Sequence, residues 1–209
     1  MSHGISRSAP GTREATFESR WRDALRSYPD VVARQGVTRL ADLDEWYRDE
    51  LPGSIAKRRP RHVTHAELVK LTEWKMARGV WRAPNLVLVK GNDAELVKRT
   101  SADALASAPH PTAPIAALVR LGGVGPATAS ALAAAAEPSI YPFFDELVAA
   151  QVPGLGVVKW TLGYYARYAD ALRDRARTLG GDWTPALVER AVWASLGGKA
   201  GNAALAGAR

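Results

Sequence analysis

The stretch Leu121-Gly122-Gly123-Val124-Gly125-Pro126-Ala127-Thr128-Ala129 sets a glycine turn between two apolar runs, and it commits this part of the chain to a helical hairpin. Before the turn, Ile115, Leu118, Val119 and Leu121 recur at helical spacing and stop where glycines permit positive φ. After it, Pro126 suits a first helical position, whose N–H has no partner to lose, and the run to Ala136 is rich in the strongest helix former. The hairpin is therefore expected over residues 114–136. N–H groups of Gly123 and Gly125 would lie at the positive end of the second helix with no side chain to block close approach, which suits a phosphate. An ordinary tight turn uses the same residues, so the turn alone leaves both readings open.

Asp145 stands twenty residues after Gly125, beyond the loop Ser139-Ile140-Tyr141-Pro142-Phe143-Phe144. From about Pro114 to Val148 the sequence resembles the helix-hairpin-helix region of the DNA glycosylase superfamily that includes the endonuclease III and adenine glycosylase types. The hairpin of that family reads L-x-G-V-G-x-x-T-A, and its catalytic aspartate follows the last hairpin glycine at this separation. The resemblance implies an all-α fold of two helical lobes, with a helix-hairpin-helix DNA-binding motif and a cleft between the lobes. It also implies that Gly123, Gly125 and Thr128 contact DNA, that Asp145 is catalytic, and that carbonyls near Leu121 and Val124 hold K⁺ or Na⁺.

Three departures narrow the expected chemistry. Bifunctional members carry a lysine two residues after the last hairpin glycine, and Ala127 stands there, so a lyase acting through that residue is excluded. Iron–sulfur members bind their cluster through four cysteines, and this chain has none, so no iron–sulfur cofactor is expected. Many members place a basic residue five positions after the aspartate, where this chain has Ala150.

Breaking a base from deoxyribose develops oxocarbenium character on the sugar, which a carboxylate close to C1′ stabilises. A helix N-terminus would favour the charged form that this role needs, and desolvation would oppose it. Asp145 is the first choice, although a helix N-cap would use the same residue in the same place. Glu146 is the second choice, because on a helix it points about 100° away. A base inside a duplex must be flipped out to be reached. Trp74, Lys75, Trp81 and Tyr164 are the candidates to line its pocket, with Arg78 and Arg82 close by in sequence. Amphipathic packing with snorkelling stems is the weightier reading of the Trp74 to Arg82 cluster, and Tyr164, Tyr168 and Leu172 form a stripe at core spacing. Lys75 could also act as an amine nucleophile, without strong support from its spacing. The histidines His3, His62, His65 and His110 are too scattered for a metal site.

The 209 residues carry a net charge of +7 and are 47% hydrophobic, enough for a core and suited to double-stranded DNA as the partner. No apolar run approaches the roughly 20 residues of a membrane span, so a cytoplasmic monomer is expected, nucleoid-associated if bacterial. Residues 1–11 are expected to be a disordered tail, 12–196 the helical body and 197–209 a flexible tail. Within the body, helices are expected over about 12–27, with Phe17, Trp21 and Leu25 on one face, 37–51, 64–78, 85–89, 93–98, 101–107, 159–179 and 184–196. Thr64 and Glu67 form a capping box at the start of the third of these. The basic loop from Lys57 through Arg58 and Arg59 to His62 is a further candidate for phosphate contact, though such loops are more often simply solvated. The expected activity is hydrolysis of the N-glycosidic bond of a damaged or modified base by a monofunctional DNA glycosylase. The competing expectation is a non-catalytic duplex-binding protein with the same hairpin.

Overall fold

The computed structural model describes residues 10–201, with side-chain surroundings from residue 18 onward. Every regular element in that range is helical: α1 (Pro10–Arg26), α2 (Tyr28–Ala33), α3 (Leu40–Glu45), a π-helical turn (Trp46–Glu50), α4 (Leu51–Lys57), α5 (His65–Arg78), α6 (Ala83–Lys90), α7 (Ala94–Ala106), α8 (Ala113–Leu118), α9 (Pro126–Ala136), α10 (Glu146–Ala149), α11 (Leu162–Leu179) and α12 (Pro185–Ser195). The expectations for residues 1–9, the Phe17 side chain and residues 202–209 concern parts of the chain outside that range. No helix among the described residues is long and apolar enough to cross a membrane.

α9 is the helix around which the middle of the chain is built. Its residues Ala127 to Ala135 are all buried, because side chains this small let neighbouring helices approach from every side. α4, α5 and α8 pack directly on it, α7 on α8, and α3 and α6 on α5. The Tyr47 hydroxyl, from the π turn, donates to the Ala131 carbonyl at 2.8 Å. A second set of helices gathers on α12, which takes α1, α2, α10 and α11, so the N-terminal helix packs against the last one. One cluster of buried side chains runs through both sets, and α2 against α3 joins them.

Local signals explain most helix ends. Thr64 accepts from the Glu67 N–H at 3.2 Å while the Glu67 carboxylate accepts from the Thr64 N–H at 2.8 Å, the capping box expected there. Thr184 caps α12 with Pro185 in its first turn, and Gly180, at φ 69°, closes α11.

Several boundaries differ from expectation. α1 begins at Pro10, so Pro10 and Gly11 belong to the helix rather than to a tail. α2 was not anticipated. The helix expected over 37–51 starts at Leu40, after Arg39 in the left-handed region, and runs through the π turn to Lys57. Pro52 does not stop it because it falls in the first turn after the change of hydrogen-bond register, where its missing N–H leaves no bond unmade. The two short helices expected at 93–98 and 101–107 are one helix, α7. Ser101 does not break it, because its buried hydroxyl donates to the Lys98 carbonyl and accepts the Val63 N–H. α11 begins at Leu162, after Thr161 accepts the Tyr164 N–H, and not at residue 159. Residues 197–201 are not a loose tail: 198–201 are helical, Gln35 donates to the Gly197 carbonyl and accepts from Ala200, and Lys199 reaches the Gly79 carbonyl at 2.9 Å.

Candidate active site

The turn between α8 and α9 is shaped by its contact with α6. Gly123 has φ 73°, and a Cβ there would lie 2.4 Å from the Asn85 carbonyl oxygen, so this glycine is required by close packing as well as by conformation. Asn92, just past α6, accepts from the Gly122 N–H at 2.8 Å and donates to the Gly122 carbonyl at 2.9 Å, clipping the turn in place. Gly125 is different. It is the N-cap of α9, offers no side chain to its N–H groups, and has open space where a Cβ would be.

The loop into Asp145 is held from two sides. The Ser130 hydroxyl on α9 accepts the Phe144 N–H at 2.8 Å, and the Tyr165 and Tyr168 hydroxyls on α11 donate to the Pro142 and Phe143 carbonyls at 3.3 and 2.7 Å. Asp145 therefore arrives at a set position as the N-cap of α10, where one carboxylate oxygen accepts the Leu147 N–H at 2.9 Å and the Val148 N–H at 3.3 Å. Its other oxygen lies 3.6 Å from Nε of Arg78.

Arg78 closes the inner end of the site. It is 2% exposed, ion-paired to Glu189 of α12, and lies with its guanidinium carbon 4.3 Å from the centre of the Trp193 ring. Its Nε and Nη1 nevertheless find no hydrogen-bond partner. Burial pushes the Glu189 carboxyl up to about 7; Arg78 opposes this and the nearby charge of Asp145 adds to it.

These groups face a pocket of about 340 Å³. Lys75, Arg78 and Gly79 come from the end of α5, Val80, Arg82 and Asn85 from the segment leading into α6, and Gly125 to Thr128 from the start of α9. Phe143 to Leu147, Trp160 and Lys199 complete the wall. Four cationic side chains thus face two carboxylates, a balance that favours an anionic ligand. The rings of Phe144 and Trp160, 4.8 Å apart between centres, supply an aromatic side.

Of the residues singled out from sequence, Asp145, Glu146, Gly125, Thr128 and Lys75 meet in this pocket. Trp74 does not: it is fully buried, stacked on Tyr47 at 3.6 Å, and its indole N–H donates to Asp44. Tyr164 is likewise in the core, stacked on Phe144, with its hydroxyl on the Gly156 carbonyl. Trp81 is 56% exposed and lies outside the lining. The basic loop also stands apart from it. Arg58 makes a paired contact with Glu67, at 2.9 and 2.7 Å, Arg59 is exposed and turned onto the Ala56 and Arg58 carbonyls, and Lys57 ends α4.

Sequence reading passed over Asn92, Phe144, Trp160, Glu189 and Lys199. None carried a local signal beyond its residue type, since each reaches the site only through packing. The Leu121 carbonyl takes the Val124 N–H at 3.1 Å and the Gly122 carbonyl takes Asn92, so a K⁺ or Na⁺ ion at the turn would compete with both. Among the described residues no group of three or more His, Cys, Asp or Glu side chains gathers where a metal ion could be held. Comparison of the chain with protein-family models, with curated proteins and with solved structures found no match.

Proposed function

We propose that this chain is a monofunctional DNA glycosylase, which binds duplex DNA at the turn before α9, takes a flipped nucleotide into the pocket and hydrolyses its N-glycosidic bond. The observation that carries this reading is that Asp145 and the open start of α9 line the same pocket. Two backbone N–H groups hold one oxygen of Asp145, and the other lies 3.6 Å from Arg78 Nε in the pocket lining. As the bond between C1′ and the base lengthens, the carboxylate stabilises positive charge on the sugar; the base leaves with the bonding pair, a water oxygen bonds to C1′, and the proton that water gives up ends on the departed base. Trp160, part-exposed and backed by the buried Phe144 ring, offers a face on which a base can stack. Arg82 and Lys199 offer charge to the flanking phosphates. The volume falls at the lower end of the range of small-molecule sites, roughly 300–1,000 Å³.

A second reading, a duplex-binding protein without chemistry, is favoured by one observation: both oxygens of Asp145 already have protein partners. The two are separated by incubating the protein with duplexes that carry uracil, oxidised, alkylated or mismatched bases, then cleaving any abasic site with alkali. On the duplex that reacts, Asp145→Asn keeps an N-cap and the fold but loses roughly a hundredfold or more in single-turnover base release, the scale of one preorganised electrostatic group. Exposed Glu146, changed to Gln, loses much less. Base release by Asp145→Asn at the wild-type rate removes the mechanism, and release from none of the duplexes leaves the binding-only reading.

A further inference from the structure

We propose that Lys75 is a nucleophilic amine that captures an aldehyde in this pocket as an imine, with the ring-opened deoxyribose of an abasic site as its ligand. The choice of ligand rests on the pocket being a site for DNA sugar; the choice of amine rests on where Lys75 lies and on its lack of a partner, with the charges around it in support.

Lys75 sits one turn before the end of α5 and is half-buried in the pocket wall, with Arg82 on the next segment and Asp145 and Glu146 opposite. It makes no hydrogen bond and no ion pair within 4 Å among the described residues. Lys199, the other lysine of the lining, is exposed and has its Nζ on the Gly79 carbonyl. The ammonium of Lys75 is therefore the lining lysine that is free to turn toward a ligand. Burial lowers its pKa, Arg82 lowers it further, and the charges of Asp145 and Glu146 only partly offset them. That combination makes a lysine nucleophilic by raising the share of the neutral amine.

The step balances without any further reactant. The lone pair of the neutral amine forms a C–N bond to C1′, the π pair of the aldehyde moves to its oxygen, and that oxygen takes the proton released by nitrogen. The carbinolamine then loses hydroxide as water on protonation, leaving an iminium whose positive charge faces the carboxylates of Asp145 and Glu146. No strand bond breaks, so capture is compatible with a monofunctional glycosylase that retains its product.

The test uses the full chain and a duplex with one preformed abasic site, so that it does not depend on base release. Sodium borohydride supplies hydride to the iminium carbon and turns the imine into a stable secondary amine, which is read as a covalent adduct on a denaturing gel and located by peptide mass spectrometry. The expected adduct is on Lys75, falls at least about tenfold in both Lys75→Arg and Lys75→Ala with helical content unchanged, and is absent with a tetrahydrofuran abasic analogue that has no aldehyde. An adduct on Lys199, or one that persists in both variants, overturns the proposal. In a second arm 2-deoxyribose 5-phosphate replaces the duplex. Labelling of Lys75 by the sugar phosphate but not by the duplex overturns abasic DNA as the ligand, and labelling by neither overturns the amine itself. If Lys75 is trapped while no duplex releases a base, the capture stands and the glycosylase reading falls.

Discussion

Two aspartates of this protein are buried against a guanidinium, and they are finished differently. Asp44 accepts from the Tyr28 hydroxyl and the Trp74 indole, both at 2.8 Å, and from Arg48 at 2.9 Å. Burial pushes its carboxyl up, but Arg48 and Arg78 and the bonds from Trp74 and Tyr28 outweigh burial and hold it below the usual range. Asp145 stands 3.6 Å from an Arg78 whose Nε and Nη1 are left without hydrogen-bond partners, beside a Glu189 that burial has made a weak acid, and the set opens on a pocket. A buried polar network that is fully satisfied holds a fold in one arrangement, whereas unsatisfied donors beside a cavity store interaction for something that enters it. The difference separates a closed site from one that opens on a cavity without appeal to residue type, which is the same in both.

The strongest way to break this comparison is to change Asp44. Asp44→Ala leaves the Trp74 N–H and the Tyr28 hydroxyl without their acceptor and the Arg48 charge without its carboxylate, and is expected to destabilise the protein by about 3–5 kcal/mol, measured by urea unfolding. Asp145→Asn, which keeps a capping side chain, should lose far less stability while taking the greater loss of activity described above. If the two stability losses are equal, the distinction between the sites fails.

The acid–base side of the contrast rests on Glu189, whose carboxyl is moved from an ordinary 4.5 to about 7 by burial first. The folded state then binds this proton more tightly than the unfolded chain does. Its contribution to stability is fully present below pH 4.5 and is lost as the pH rises through about 7, by up to roughly 3 kcal/mol. Glu189→Gln should remove that part of the slope between pH 5 and pH 8. An unchanged slope would mean that Glu189 stays charged throughout and that the pair with Arg78 outweighs its burial.

The smallest effects sharpen the matching contrast within the glycine turn. Gly123→Ala meets both a positive φ and the Asn85 carbonyl and should cost about 2 kcal/mol or more, whereas Gly125→Ala, with open space at its Cβ, should change stability by less than about 0.5 kcal/mol. Gly125→Asp should instead weaken duplex binding, because it sets a carboxylate at the open start of α9. Equal stability losses for the two alanine variants would show that α6 yields, and unchanged duplex affinity for Gly125→Asp would remove the turn from the DNA-binding surface.

What could be read in advance was what neighbouring residues impose on each other. The capping box of Thr64 and Glu67, the restart at Pro126 and the placing of Asp145 at the head of a helix all act over a few residues and are found, whereas α8 ends at Leu118, short of the glycines where the stop was expected. The errors came where a local signal was overruled from a distance. The helix expected to end at residue 51 runs on past Pro52 through a π turn, and the two expected over 93–98 and 101–107 are one, with Ser101 bonded to Val63. For Trp74 the weightier of the two readings, packing rather than base stacking, is the one found, and Asp44, thirty positions earlier, takes its N–H into the core.

Sequence by itself determined that the chain is helical, that α9 would start at Pro126, and that Asp145 would begin a helix at Glu146, because propensity, capping and glycine conformation depend on the nearest residues. Only the tertiary structure decided that Arg78 would meet Glu189, 111 positions away, that Lys199 and Trp160 would complete a pocket begun at Lys75, and that Gly125 rather than Gly123 would be left open. These outcomes follow from how helices with many compatible faces pack together, and a packing choice is made by the summed contacts of the whole core, which no local stretch of sequence contains.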